Sequence, residues 1–333
     1  MLTQALIDTE ARRDSGQGLA ADHALPDSEF ARDLRRALAE QPRRISPKYF
    51  YDAHGSQLFD RICELPEYYP TRVELGILAA NAREIAAQIG PQAEIVEFGA
   101  GSLHKVRLLL DSMKQPARYL PIDISGEHLA ASATSLRRDY PGLDVQPVIA
   151  DYTQPLALPA RLPGSGQRVG FFPGSTIGNF SPQEALRFLQ GAAQALRGGA
   201  LLLGADLIKD PCVLHAAYND AQGVTAAFNL NLLARANREL GTRFVLDQFA
   251  HSAFYNAPRQ RIEMHLVSRE RQKIALGGEW HEFDEGETLH TENSYKFTVD
   301  GLRRLAVQAG FRPGPIWTDA ERLFSLHWLH APD

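Results

Sequence analysis

The stretch EIVEFGAGSLHK, from Glu94 to Lys105, constrains the fold of this chain more than any other. Its apolar run ends in Gly99-Ala100-Gly101, and leucine-rich residues follow, which predicts a strand, a tight turn and a helix packed on a sheet. Glycine has no Cβ and tolerates positive φ, so such a turn lets a ligand lie against the backbone. The glycine spacing alone is weak evidence, because a turn without a ligand would look the same.

Acidic side chains follow the next two predicted strands. The strand Tyr119 to Ile124 carries Asp123 near its carboxyl end, and the strand Asp144 to Ile149 is followed by Asp151 and Tyr152. In doubly wound folds, the acid after the second strand binds the ribose hydroxyls of a nucleoside. We therefore expect a glycine turn and two carboxylates to meet at one edge of a sheet.

The kind of nucleoside follows from what the turn lacks. A dinucleotide site uses a third glycine to bring its helix close to a pyrophosphate, and here His104 occupies that position. An acidic pocket without a phosphate-binding loop suits a cationic nucleoside, of which S-adenosylmethionine (SAM) is the common one. An NAD-linked dehydrogenase also fits the glycine turn with Asp123, but His104 and Asp151 count against it.

Composition and charge exclude several classes of protein. The 333 residues, 44% hydrophobic and 23% charged, are enough for two globular domains. Forty acids against thirty-five lysines and arginines give a net charge of −5 without a long basic run, so nucleic-acid binding is not expected. Cys63 and Cys212 lie far apart, which favours a reducing, cytoplasmic setting. The sequence has no signal-peptide pattern and no apolar run of about 20 residues, so no membrane association is expected.

The rest of the chain predicts a second structural unit. Residues 1–27 are polar and we expect a flexible tail there. A fourth strand runs into a polar loop that ends at Asn179, whose amide suits a substrate carboxylate or amine and equally a turn or a helix cap. After the fifth strand, residues 209–297 exceed what a five-stranded crossover fold needs and predict an α+β insertion, and the final helix and hairpin return to the sheet.

Nine motifs, in order along the chain, carry a resemblance to a known family. They are KYFYD at 48–52, LPEYYPTR at 65–72, EFGAGS at 97–102 followed by Lys105, PGSTIGNF at 173–180, GADLIKD at 204–210, AYND at 217–220, GVTAAFN at 223–229, RIEM at 261–264 and TENS at 291–294. Together they resemble the L-histidine Nα-methyltransferases of ergothioneine biosynthesis, which use SAM to trimethylate histidine to hercynine. The likeness covers roughly residues 30–330.

The resemblance implies an α/β fold with two domains. A Rossmann-like methyltransferase sheet of seven strands would occupy residues 72–208 and 298–333. A second, α+β domain that binds the substrate would occupy residues 28–71 and 209–297. The segment patterns lead to the same division.

The resemblance also implies site residues. The SAM contacts of the family fall on Tyr68, Gly99, Lys105, Asp123, Asp151 and Tyr152. Its histidine contacts fall on Tyr68, Asn179, Tyr218, Glu292 and Ser294, with Tyr51, Phe59 and Met264 near the pocket. No strong base appears in these motifs, so we expect water, or transiently Tyr51, to take the proton of the substrate ammonium.

Other functions remain open at this point. Methylation of tryptophan or a prenylated tryptophan is the nearest alternative, although Glu292 and Met264 favour histidine because an indole offers one donor and needs more width. A protein that binds SAM or a nucleoside without catalysis is disfavoured, because the residues that the resemblance assigns to the substrate would then have no role. A metal enzyme is disfavoured because HExxH is absent and the pair His327 and His330 is expected at the surface. The expected partner is L-histidine, and the expected state is a monomer.

Overall fold

The computed structural model describes residues 26–101, 103–124 and 126–333, without the side chains of Glu127 and His128. The predicted tail, 1–27, lies outside these residues except for its last two. The helices of the described part are α1 (Glu29–Ala39), α2 (Ala53–Glu64), α3 (Tyr69–Ala80), α4 (Ala82–Ile89), α5 (Leu103–Ser112), α6 (Gly126–Asp139), α7 (Pro182–Ala195), α8 (Pro211–Tyr218), α9 (Val224–Leu240) and α10 (Val299–Gln308).

The strands of the same part fall into three sheets. They are β1 (Arg43–Arg44), β2 (Glu94–Phe98), β3 (Arg118–Asp123), β4 (Asp144–Val145), β5 (Val148–Ile149), β6 (Arg168–Phe172), β7 (Ala200–Asp206), β8 (Phe249–Asn256), β9 (Arg261–Ser268), β10 (Gln272–Leu276), β11 (Glu279–Phe283), β12 (Thr288–Tyr295), β13 (Arg312–Thr318) and β14 (Phe324–His330).

The largest sheet has the order β13-β14-β7-β6-β2-β3-β4, and β5 also pairs with β3. Strands β2 to β7 pair in parallel, whereas β14 runs antiparallel to β7 and to β13. Strands β2, β6 and β7 are buried along their whole length and are mostly apolar, as expected when helices cover both faces of a sheet. The two buried glutamates of β2 have partners, because Glu94 accepts from Arg168 and Glu97 accepts from Tyr119. The predicted α/β class is confirmed.

One strand of this sheet and the helix that precedes the sheet differ from the prediction. The described residues form eight strands in the sheet, not seven, because the strand predicted over 144–149 is interrupted. The N–H of Gln146 still donates to Tyr119, but Pro147 has no N–H to continue the ladder. The amphipathic pattern over residues 71–89 predicts one long helix, but the structure has two, because the side-chain amide of Asn81 donates to the carbonyl of Ile77 and ends α3.

The expectation that His327 and His330 lie at the surface is wrong for His327. Strand β14 lies between β7 and β13, so its side chains point into helix-covered faces of the sheet. His327 is 1% exposed, and its Nε2 is 2.9 Å from the hydroxyl of Ser325. His330 is half-buried at the end of the strand.

The second unit contains a four-stranded sheet, β1-β12-β9-β8, and the hairpin β10-β11. Helices α1, α2, α8 and α9 pack on it around a core that includes Phe50, Phe228 and Leu232. It meets the large sheet where Phe297 pairs with Leu207, just beyond β12 and β7. The cavity between the two units opens at the carboxyl ends of the parallel strands.

None of the helices within the described residues is both long and apolar enough to cross a membrane.

Candidate active site

One cavity of about 1470 Å³ lies between the large sheet and the second unit. Every site residue predicted from the sequence contributes to its lining, although these residues come from segments far apart in the chain. They are Tyr51, Phe59, Tyr68, Gly99, Lys105, Asp123, Asp151, Tyr152, Asn179, Tyr218, Met264, Glu292 and Ser294. Their roles remain predictions, but the fold brings them together.

The glycine turn after β2 forms the floor of the cavity. The N–H groups of Gly99 and Ala100 both donate to the carbonyl of Ile122, at 2.8 and 3.0 Å, which ties the turn to the end of β3. Gly99 has a φ of 75°, and a Cβ there would lie 3.4 Å from the hydroxyl of Tyr152. Glycine is therefore required by conformation, and it keeps the floor clear beside Asp123.

Carboxylates surround this floor. The carboxyl of Glu97 accepts a hydrogen bond from the hydroxyl of Tyr119, and burial raises the pKa of Glu97 to about 8. Asp151 accepts from the N–H and hydroxyl of Thr153, at 2.9 and 2.6 Å, and its other oxygen is 4.0 Å from the Lys48 ammonium. The carboxyl oxygens at this floor can accept hydrogen bonds from ribose hydroxyls and can attract a cationic group, which fits SAM.

An aromatic wall connects the floor to the far end of the cavity. The ring centroids of Tyr51 and Phe59 are 5.6 Å apart, those of Phe59 and Tyr68 6.4 Å, and those of Tyr68 and Tyr218 6.2 Å. All three contacts are edge-to-face, the arrangement that aromatic pairs prefer. Burial raises the pKa of Tyr51 and Tyr68 well above that of a free phenol, so both hydroxyls are neutral at neutral pH. Tyr51 therefore presents a neutral hydroxyl to the cavity.

The far end of the cavity is polar. The hydroxyl of Tyr218 donates to that of Ser294 at 2.7 Å, and the Lys296 ammonium donates to both oxygens. Glu292 lies on β12 beside a bulge and is 9% exposed, so it is a buried acid on a strand and not a solvated acid on a loop. Burial raises the pKa of Glu292 to about 7, and the positive charge of Lys296 opposes the rise.

Two further predicted residues flank this end. Met264 on β9 pairs directly with Glu292 on β12, so both side chains lie on the same face of the sheet. Asn179 ends a short 3-10 helix, Thr176–Asn179, that rests on β12. A Cβ on Gly178 would lie 2.7 Å from the carbonyl of Tyr295, so the loop can approach the strand this closely only with glycine.

Three buried charged residues at the site were not among the site residues predicted from the sequence. They are Glu74, Asp206 and Lys296. Glu74 on α3 has no exposed surface and pairs with Lys105 at 2.6 Å. Asp206 at the end of β7 accepts from Lys209 and Lys296, and although burial opposes ionisation, the two ammonium groups lower its pKa. An acid on the apolar face of a predicted helix was the available signal for Glu74, and the motif GADLIKD was the signal for Asp206.

A group of potential metal ligands lies elsewhere in the second unit. Ligand atoms of Glu263, His265 and His290 come within 4.8 Å of one another, the one such group within the described ranges. The two imidazole rings stack 4.5 Å apart at an interplanar angle of 16°. A metal bound by both would have to lie in both ring planes, which are nearly parallel. Arg261 also pairs with Glu263 at 2.6 Å, so the group does not favour a metal.

Comparisons with known proteins agree with the chemistry of the cavity. Residues 30–331 match the family described as histidine-specific methyltransferase, SAM-dependent. The chain is 42% identical to a histidine N-alpha-methyltransferase of Mycolicibacterium smegmatis, covering 92% of this chain and 96% of the relative. It is 40% identical to a protein of the same name in Mycobacterium tuberculosis, covering 89% and 92%. Ergothioneine biosynthesis protein 1 of Neurospora crassa is 30% identical, covering 86% of this chain and 33% of the relative.

Proposed function

The chain belongs to the family of SAM-dependent, histidine-specific methyltransferases, and we propose that it trimethylates the α-amino group of L-histidine to give hercynine, a step of ergothioneine biosynthesis. One observation carries the proposal. The cavity joins an acidic floor suited to SAM with a polar end that offers a carboxylate, Glu292, and two hydroxyls, Tyr218 and Ser294. A neutral imidazole has one N–H and one ring lone pair, and that end can satisfy both.

The floor has the groups that SAM needs. Bound SAM supplies a methyl group activated on a sulfonium. Asp123 at the end of β3 would accept from the ribose hydroxyls, as the acid at this position does in doubly wound folds. Gly99, Asp151 and Tyr152 would line the nucleoside, and Tyr68 would lie between the cofactor and the substrate.

Residues of the second unit, together with Asn179 from the loop after β6, would orient histidine. Asn179 and Tyr218 would hold the α-carboxylate, while Glu292 and Ser294 would hydrogen-bond the imidazole. Methyl transfer moves positive charge from sulfur to nitrogen, so the main requirement is to hold a neutral amine in line with the methyl group. The aromatic wall tolerates the charge that grows on the amine, because aromatic faces attract cations.

The substrate ammonium must lose a proton before each transfer. Because the pKa of Tyr51 is raised, its neutral hydroxyl can accept a hydrogen bond from the amine but does not act as a base. We therefore propose water as the final acceptor, with the hydroxyl of Tyr51 as an orienting group. Three rounds of transfer also require that the pocket never holds the amine through all of its hydrogens.

The organisation of the protein follows from the same proposal. We assign substrate binding to residues 28–71 and 209–297, and SAM binding to residues 72–208 and 298–333. Cys63 and Cys212 are both free thiols, which supports a cytoplasmic location. We propose a monomer that acts on a small molecule and does not bind nucleic acid.

The test is a competition among substrates. The purified protein is incubated with SAM and an equimolar mixture of the twenty amino acids, and the products are identified by mass spectrometry. Trimethylated histidine as the main product is expected. Methylated tryptophan as the main product would favour the tryptophan alternative. Tight SAM binding by calorimetry, with no methylated product, would favour a binding protein without activity.

A further inference from the structure

Lys296 is a buried ammonium at the polar end of the cavity, with 3% of its surface exposed. Its Nζ lies 2.8 Å from Oδ2 of Asp206, 2.8 Å from the hydroxyl of Ser294 and 3.2 Å from the hydroxyl of Tyr218. Burial disfavours the charge, but the carboxylate of Asp206 outweighs burial and the pKa of Lys296 is raised above its ordinary value. Lys296 therefore stays charged at any pH at which the protein would work.

The three contacts determine where the hydroxyl hydrogens point. An ammonium has three N–H donors and no acceptor, so the oxygens of Tyr218 and Ser294 can only accept from Lys296. The hydrogen of each hydroxyl must then point away from the ammonium. The hydrogen of Tyr218 serves the bond to Ser294, so the hydrogen of Ser294, which lines the cavity, remains available to a substrate.

We infer that Lys296 is a positioning residue that holds the hydroxyls of Tyr218 and Ser294 so that the hydroxyl of Ser294 donates toward the substrate. The inference rests on the proposed function and extends it to how histidine is selected. The unprotonated ring nitrogen of the substrate therefore meets a donor, Ser294, at this end. Glu292 supplies the complementary acceptor for the ring N–H. The pocket thus selects a ring that has both a lone pair and an N–H.

Lys209 provides a matched control. Its ammonium lies 2.5 Å from Oδ1 of Asp206, and its side chain is also buried, 6% exposed. It donates to the hydroxyl of Tyr69 at 2.7 Å, and within the described part of the chain no hydrogen bond joins it to Tyr218 or Ser294. Substituting either lysine leaves Asp206 with one ammonium, so the buried carboxylate keeps a counter-charge in both variants.

The experiment compares two substrates in three proteins. L-Histidine and β-(2-thienyl)-L-alanine, whose five-membered ring has no nitrogen, are assayed for kcat/KM with the wild type, Lys296→Met and Lys209→Met. Without Lys296 the hydroxyls can rotate and accept, so the preference for histidine should fall about tenfold or more, mainly through KM. The preference of Lys209→Met should stay within about threefold of the wild type. Binding of S-adenosylhomocysteine, measured by calorimetry, should be unchanged in both variants.

Each outcome decides the question. A Lys296→Met variant that keeps the wild-type preference for histidine overturns the inference, as does an equal loss in Lys209→Met. If Lys296→Met does not fold, Lys296→Gln replaces it, because an amide oxygen can accept from the hydroxyls and should relax the preference in the same way. A wild type that methylates no histidine would refute the proposed function itself, independently of either lysine.

Discussion

The ammonium of Lys105 lies 2.6 Å from a carboxylate oxygen of Glu74, a side chain with no exposed surface. The same carboxylate accepts from the backbone N–H of Gly174, at 2.9 and 3.0 Å. This buried pair joins α3 to α5 and to the turn after β6, directly beside the floor of the cavity. The family resemblance implies that Lys105 contacts SAM, and the structure also makes it the counter-charge of a buried acid.

The first prediction separates these two roles of Lys105. Lys105→Met leaves Glu74 without its counter-ion and should destabilise the protein by about 3–5 kcal/mol in urea unfolding. The double variant Lys105→Met/Glu74→Gln removes both charges and should recover most of that loss. Equal destabilisation of the single and double variants would contradict the role as counter-charge. Weaker binding of S-adenosylhomocysteine by the recovered double variant would support a direct contact of Lys105 with the cofactor.

A second prediction concerns the ribose. If Asp123 accepts from the ribose hydroxyls, Asp123→Ala should weaken binding of SAM and S-adenosylhomocysteine by about 1.5–3 kcal/mol, the range for a hydrogen bond to a charged group. Calorimetric titration measures the loss, with Asp139→Ala, outside the cavity, as the control. Unchanged affinity would remove Asp123 from the site. Tight binding of NADH by the wild type would favour the dehydrogenase instead.

Local chemistry explains why much of the fold and the site is predictable. The turn at Gly99 is determined by residues next to it in the chain, and parallel strands bring their carboxyl ends to one edge whatever the rest of the protein does. The positions of Asp123 and Asp151 at that edge therefore follow from the order of the strands alone. The interruption at Pro147 differs from the continuous strand predicted over 144–149, but its cause is equally local, because proline has no N–H.

What could not be predicted depends on contacts between distant segments. Lys296 and Asp206 are paired only because β12 and β7 end side by side, and nothing in either segment identifies the other. His327 is buried because β14 lies inside the sheet, an order that its own residues do not reveal. The end of α3 at Asn81 depends on one side-chain hydrogen bond, where neither proline nor glycine marks the break.

A third prediction concerns successive methylation. Each methyl group enlarges the amine but leaves the carboxylate and the imidazole free to bind, so mono- and dimethylhistidine should both be substrates. Trimethylhistidine should only inhibit, as a product. Time courses by mass spectrometry with each compound as the starting material test this. Monomethylhistidine as the final species, with excess SAM and enzyme, would refute trimethylation and leave methyl transfer intact.

A fourth prediction concerns stability and pH. Burial raises the pKa of Glu292 from 4.5 to about 7, so between these values the folded protein holds a proton that the unfolded chain has lost. Stability from this group is therefore lost as the pH rises toward 7. Glu292→Gln removes the loss and should stabilise the free protein by ~1–3 kcal/mol at pH 8, with little effect at pH 4. Urea unfolding at both pH values checks the difference, and a pH-independent effect would contradict it.

The last prediction tests whether Glu292 selects the side chain of the substrate. An ionised carboxylate that accepts the ring N–H makes a charge-assisted hydrogen bond, and a site built around such a bond discriminates strongly. Glu292→Ala should therefore reduce kcat/KM for histidine by about 2 kcal/mol or more. SAM affinity should not change, because Glu292 lies at the far end of the cavity from Asp123. The vacated space should also reduce the disadvantage of tryptophan and phenylalanine in competition assays, whereas Glu285→Ala, an exposed acid outside the cavity, should behave as the wild type. A Glu292→Ala variant that keeps the wild-type preference for histidine over tryptophan would mean that Glu292 does not recognise the ring.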